Sequence, residues 1–325
     1  MPGIAEARAA DKSKSPNAAG QNVAEKNASD AVQQASAKPE CVWPVGAQLG
    51  EGPIWSAAEE AVWFVDIKGK LIHRFHEPSG KTQSWPAPSE PGFILPAKDG
   101  NFIAGCKTGL HRFNPKTGEF KLLAAVEPKA RNNRLNDGYV DPAGYLWFGS
   151  MDDDEKAPTG ALYQLTDAGS TKRDDDYVIT NGPTASPDNR TLYHTDTLKK
   201  IIYAFDRGPD GTLSNRRVFA QIGEGDGHPD GPITDLQGCI WSGLYGGWGV
   251  NRYSPEGRKL SKLAMPVANV TKAAFGGKDL RTLYITTAWK GLSAKERQEQ
   301  PNAGGLFRVR VDVAGLPQGI IAHGI

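Results

Sequence analysis

The stretch Ile54-Trp55-Ser56, Val62-Trp63-Phe64-Val65, Ile72-His73-Arg74-Phe75, Pro78-Ser79-Gly80 decides the fold, because the chain repeats its pattern. An apolar pair and a turn lead into a short aromatic and aliphatic run, then a second run with spaced aromatics, then a Gly-containing turn. The second copy reads Leu95-Pro96-Ala97-Lys98-Asp99-Gly100, Phe102-Ile103-Ala104, Leu110-His111-Arg112-Phe113, Pro115-Lys116-Thr117-Gly118. Val140-Asp141-Pro142-Ala143-Gly144 and Leu146-Trp147-Phe148 mark the third, and Thr191-Leu192-Tyr193 with Ile202-Tyr203-Ala204-Phe205 the fourth. Ile240-Trp241-Ser242 belongs to the fifth, and Thr282-Leu283-Tyr284-Ile285 with Leu306-Phe307-Arg308-Val309 to the sixth. Short runs rich in aromatic and β-branched residues, bounded by Gly and Pro, read as strands.

Anchored at Ile54, Leu95, Val140, Thr184, Ile233 and Ala274, the six copies lie 41, 45, 44, 49 and 41 residues apart. A period of roughly 40–50 residues with about four strands per unit is the signature of a β-propeller, in which each blade buries its faces against its neighbours. An all-β, six-bladed β-propeller is therefore expected, and six in-register copies count against a β-sandwich with similar turn spacing. Cys41 to Val45 precede the first copy and are expected to supply an outer strand to the last blade, closing the ring without a free edge.

The rest of the composition agrees. With 38 Gly and 23 Pro among 325 residues, the chain suits many short strands joined by tight turns. Residues 1–40 hold almost no large apolar side chain and read as a disordered extension, with the propeller domain occupying 41–325. The net charge of +1 provides no field for nucleic acid or an anionic membrane. No apolar run approaches the roughly 18 residues of a membrane span, and no secretory leader pattern is seen. A soluble, cytoplasmic monomer acting on a small molecule is the expectation. Cys41, Cys106 and Cys239 form no CxxC pair, so neither a disulfide framework nor a thiolate metal site is indicated.

Three residues before four of the anchors stand Glu51-Gly52-Pro53, Asp137-Gly138-Tyr139, Asn181-Gly182-Pro183 and Asp230-Gly231-Pro232. Equivalent positions in successive blades lie at equivalent heights, so these side chains should converge at one end of the central channel. Clustered carboxylates repel one another unless a cation lies between them. An all-oxygen set suits a hard divalent ion such as Ca²⁺, Mg²⁺ or Mn²⁺, with Fe²⁺ and Zn²⁺ also compatible. Any one of these motifs alone would read as an ordinary turn; four in one register do not. The acidic run Asp152-Asp153-Asp154-Glu155 lies in an insertion after the strand Leu146 to Met151, where one member could face the channel.

Leu49-Gly50-Glu51-Gly52-Pro53, Asn133-Arg134-Leu135-Asn136-Asp137-Gly138, Thr180-Asn181-Gly182-Pro183 and Pro229-Asp230-Gly231 resemble the hallmarks of the SMP-30/gluconolactonase/regucalcin family of six-bladed sugar lactonases. The resemblance runs from about Cys41 to Pro317. Leu146 to Met151, Tyr193-His194-Thr195-Asp196-Thr197 and Asn269-Val270-Thr271-Lys272 are most similar to the bacterial pentonolactonase branch, xylonolactonases above all. It implies a carboxylic ester hydrolase of carbohydrate metabolism that uses one divalent ion, opens an aldonolactone and holds its metal on Glu51, Asn181 and Asp230. It further implies substrate binding by Arg134 and Asn136, and by Asp154 after the third-blade strand. The repeat register selects Asp137 and the resemblance selects Asn136; a one-residue bulge would account for the difference. Asp230 is the expected general base. Organophosphate or aryl ester hydrolysis, or a non-enzymatic metal-binding or interaction platform, are the alternatives that remain.

Overall fold

The computed structural model describes residues 38–324. Its strands form six four-stranded antiparallel sheets, each meandering outward from an innermost strand. The innermost strands are Gly50–Ser56, Pro91–Pro96, Asn133–Val140, Thr180–Ala185, His228–Thr234 and Val270–Gly276. The fold is the six-bladed β-propeller that the repeat requires.

The side chains of each blade follow from its layering. Inner and second strands have neighbouring blades over both faces, so runs such as Ala61–Asp66 and Leu146–Asp152 are buried throughout. Outermost strands such as Lys81–Pro86 meet solvent and carry Lys, Thr, Gln and Ser. Aromatic side chains fill the spaces between blades. Trp63 stacks on Trp85 at 5.1 Å and contacts Phe102 of the next blade at 4.5 Å. Rings of this size, fully buried, supply several kcal/mol each to blade association (about 3–5 on truncation).

Two turns repeat one polar device. The buried Asp141 carboxylate accepts the N–H groups of Ala143 and Tyr145 at 2.9 and 3.0 Å and the Trp147 indole N–H at 3.0 Å, and pairs with Arg207. Asp235 does the same with Gln237, Cys239, Trp241 and Arg252. Each carboxylate closes its turn and ties it to the indole of the following strand, so the turns are held by saturated charge-assisted hydrogen bonds.

The ring closes as expected. Strand Glu40–Trp43 pairs antiparallel with Leu306–Arg310 as the outer strand of the sixth blade, beginning one residue before the anticipated Cys41. Beyond this clasp the C-terminal segment crosses one face, with Gly315 bridging to Asp235 and Ile321 to Ala97. Leu316, Pro317 and Gly319 close that end of the channel over a cavity of about 360 Å³ whose wall includes Trp55, Phe275 and Lys272. The expectation of a disordered extension falls mostly on residues 1–37, outside the described residues. Among the described residues no helix is long and apolar enough to cross a membrane, and the three cysteines are free thiols.

Candidate functional site

In every blade the ladder between the inner and second strands breaks once, at the same height. The breaks fall at Glu51/Ile54, Pro91/Phe93, Leu135/Gly138, Asn181/Thr184, Pro229/Pro232 and Val270/Ala273. The sequence causes them. Pro53, Pro183 and Pro232 have no N–H to give to a ladder, and Gly52 and Gly182 take positive φ values of 54° and 79° that other residues rarely adopt. Such bulges re-aim side chains. Glu51, Asn136, Asp137, Asn181, Asp230 and Lys272 are accordingly brought to one level of the channel, all buried.

Three carboxylates meet there. The Glu51 and Asp230 carboxyls act directly on each other, and both experience the charge of Asp137. Burial, and then the charges of Asp230 and Asp137, push the Glu51 carboxyl well above its ordinary range. Asp230 is pushed up to about 7, by burial first and by Asp137 second. Each carboxylate is oriented by the next residue in its bulge: Gly52 N–H donates to Glu51 Oε2 at 3.0 Å and Gly231 N–H to Asp230 Oδ1 at 2.9 Å. Asp137 is engaged differently. Lys272 Nζ sits 2.5 Å from its Oδ1, and the N–H groups of Gly138 and Gly182 donate at 2.7 and 2.8 Å.

The amides are locked by a chain of oriented hydrogen bonds. Thr197 has one hydroxyl proton, donated to Pro229 O at 3.0 Å, so its lone pair must accept from Asn181 Nδ2 at 2.8 Å. Asn181 Oδ1 therefore faces Asn136, whose Nδ2 donates to it at 2.9 Å and to Thr180 O at 2.6 Å. Arg134 Nη1 in turn donates to Asn136 Oδ1 at 2.5 Å. The chain runs from the third blade to the residue before Asp230 and leaves the Asn181 amide no reason to flip.

Above this floor, the turns after the second strands form a charged rim. Asp153 accepts from Arg134 Nε at 2.9 Å, Lys68 at 2.7 Å and Lys107 at 2.8 Å, which joins three blades. Burial alone would raise the Asp153 carboxyl, but the hydrogen bonds of Lys107 and Lys68 and the charge of Arg134 hold it well below the usual range. Lys290 of the sixth blade reaches across to Glu155 at 2.6 Å.

Glu51, Asn181, Asp230, Arg134 and Asn136 thus come together as one connected group. Asp154 does not join them: its side chain is exposed, and Asp153 takes the inward place. In this turn Asp152 folds back to accept the N–H groups of Lys156 and Ala157, while Asp153 is held inward by Lys68, Lys107 and Arg134. Lys272 and Thr197 lie in stretches that resemble the pentonolactonase branch, but the sequence alone assigned neither a role at the site. A signal existed for Lys272, the one charged residue within the run Val270 to Gly276, which packs at the channel wall. Thr197 closes the quoted stretch Tyr193 to Thr197, but its role depends on pairing across blades.

The donor chemistry fits a hard cation. Among the described residues no group of three His, Cys, Asp or Glu side chains is disposed around a metal position; the available oxygens are two carboxylates, Glu51 and Asp230, and the Asn181 amide. Two adjacent buried carboxylates whose protons are held unusually tightly are the environment a divalent ion relieves.

Comparison with known proteins gives one answer. Residues 49–289 match the model of the SMP-30/gluconolactonase/LRE-like region. A 6-deoxy-6-sulfogluconolactonase of Pseudomonas putida is 32% identical over 284 residues, 87% of this chain and 98% of the relative. Regucalcin of Bos taurus is 35% identical over 292 residues, 87% and 97% of the two chains. Among solved structures, a calcium-binding regucalcin from Agrobacterium tumefaciens superposes with a TM-score of 0.85 at 27% identity, over 88% of this chain and 97% of the other. A luciferin-regenerating enzyme superposes at 0.82 and 27% identity, over 87% and 98%. The chain belongs to the SMP-30/gluconolactonase/LRE-like family.

Proposed function

We propose that the protein is a divalent-metal-dependent lactonase that hydrolyses a sugar aldonolactone, of pentono- or hexono-type, to the aldonic acid. The observation that supports it most is the buried Glu51, Asp230 and Asn181 group, with Arg134 and Asn136 leading from it to the channel mouth. Glu51, Asp230 and the Asn181 amide oxygen would hold the ion. When bound, a divalent ion at such a site polarises a lactone carbonyl and stabilises negative charge on its oxygen.

The remaining chemistry belongs to the chain. Asp230 would act as the general base, taking a proton from the water that attacks the carbonyl carbon. General-base assistance of this kind is worth on the order of 10²–10⁴ in rate. The proton then passes to the ring oxygen as the C–O bond breaks, leaving a carboxylic acid and an alcohol. Arg134, fixed by Asp153 on one side and Asn136 on the other, presents its remaining N–H groups to sugar hydroxyls. Its anchored guanidinium loses little freedom on binding, so orientation costs less. The relatives named for gluconolactone or sulfogluconolactone hydrolysis support the lactone class.

Acid release from a panel of aldonolactones, measured after chelation and after return of individual divalent ions, tests the proposal. Turnover restored by at least one ion is the expected result. No turnover of any lactone, or faster cleavage of aryl esters or paraoxon-type phosphotriesters than of lactones, would remove it.

A further inference from the structure

Lys272 is a buried ammonium inside a ring of carboxylates, and the reading of the site above gives it no task. It stands in the sixth blade at the same bulge that presents Glu51, Asn181 and Asp230 in theirs. Space has been cleared for it: a Cβ on Gly231 would lie 2.6 Å from Lys272 Cδ and 2.7 Å from Asp137 Oδ2. Its Nζ contacts Asp137 Oδ1 at 2.5 Å and Gly138 O at 3.5 Å, and its charge acts on both Glu51 and Asp230. Its side chain also lines the cavity beneath Leu316, Pro317 and Gly319.

Charge counting at this level is simple. Glu51, Asp137 and Asp230 bring three negative charges when ionised, and Lys272 returns one positive charge, leaving −2. A buried group of net −2 is neutralised by one divalent ion and over-neutralised by a trivalent one. Asp137 meanwhile has Oδ1 on Lys272 and Gly138 and Oδ2 on Gly182, which keeps it from being a third carboxylate donor.

We propose that Lys272 is the site's resident counter-ion. By holding Asp137 out of the ligand group and fixing the net charge at −2, it matches the site to a single divalent cation. This rests on the metal site proposed above. It makes Lys272 a positioning residue that acts through Asp137, and it makes ion selectivity a property of formal charge rather than of any one side chain.

The test uses Ca²⁺ and Tb³⁺, two hard ions of similar size and different charge, with affinity measured by titration calorimetry and by Tb³⁺ luminescence on folded, chelator-stripped protein. Lys272→Met takes the site to −3 and frees Asp137. Its preference for Tb³⁺ over Ca²⁺ should rise about a hundredfold over wild type, since one further unit of charge interacts with the extra carboxylate in a partly shielded interior. Asp137→Asn takes the site to −1, and Ca²⁺ affinity should fall by at least about tenfold. Lys272→Met combined with Asp137→Asn restores −2 and should restore the wild-type selectivity. It also removes both partners of the buried pair, the change such pairs tolerate best, so it remains measurable if a single variant fails to fold. A merely structural ion pair would leave selectivity unmoved in every variant that folds, and that result overturns the inference while sparing the metal site. If wild-type protein binds neither ion, the metal site itself fails and the inference with it. A double variant that folds but keeps neither the wild-type selectivity nor its direction also contradicts it.

Discussion

Replacing Thr197 by Val removes one hydroxyl and keeps the shape of the side chain, so it isolates the hydrogen bonds that orient Asn181. Two are lost, the 2.8 Å bond from Asn181 Nδ2 and the 3.0 Å bond to Pro229 O, both buried. An unsatisfied buried donor and acceptor together cost about 2 kcal/mol or more, which for a domain of this size lowers Tm by about 5 °C. The functional effect should be larger. With no acceptor at Thr197, the Asn181 amide is held from one side only, by Asn136 Nδ2, and its own nitrogen loses its partner. Loss of the group that orients a metal ligand typically weakens binding about 10–100-fold. Calorimetric titration of Ca²⁺ or Mn²⁺ into stripped wild type, Thr197→Val and Thr197→Ser measures it, and the serine variant should recover most of the affinity. Wild-type affinity in Thr197→Val, with the Tm drop present, would refute the role given to this hydrogen-bond chain.

Asp153→Asn leaves Lys68, Lys107 and Arg134 facing one another without their shared carboxylate. KM for the lactone should rise about tenfold with a smaller change in kcat, as expected when a binding group loses its support; an unchanged KM would show that Arg134 is positioned without Asp153. In chelator-stripped protein, Asp230 keeps its proton to about 7 when folded against an ordinary 3.8, so the folded state binds more protons across that interval. Stability should therefore fall as pH rises from about 4 to about 7, read as a declining Tm. A Tm that rises over the same interval would contradict the carboxylate packing.

The fold was legible because a propeller writes its architecture into the chain at a fixed period. Aromatic runs bounded by Gly and Pro recur with the spacing of the blades, and even the closing strand near Cys41 could be anticipated from its place ahead of the first copy. The candidate site was legible where the Gly-Pro bulges mark it, at Glu51, Asn181 and Asp230. It was less so at Asn136 and Asp137, where the break between Leu135 and Gly138 leaves two residues outside the ladder. There the register pointed to Asp137 and the resemblance to Asn136; the hydrogen bonds show that Asn136 joins the amide chain while Asp137 binds Lys272. Asp153 and Asp154 were not separable in advance, because a turn of four acidic residues gives no periodicity from which to read direction. Lys272 ends the stretch Asn269 to Lys272 but nothing there assigned it a role, because its meaning depends on carboxylates supplied by three other blades.

The central claim is that Asp230 works in the hydrolysis of a lactone at this site, and Asp230→Asn tests it most directly. Asparagine keeps the size and an oxygen donor but cannot take a proton from water. At saturating divalent ion, acid release from an aldonolactone should fall by about 10²–10⁴ in kcat, while the fold stays intact by circular dichroism. Full activity in the folded variant with ion restored would remove Asp230 from the reaction and contradict the account.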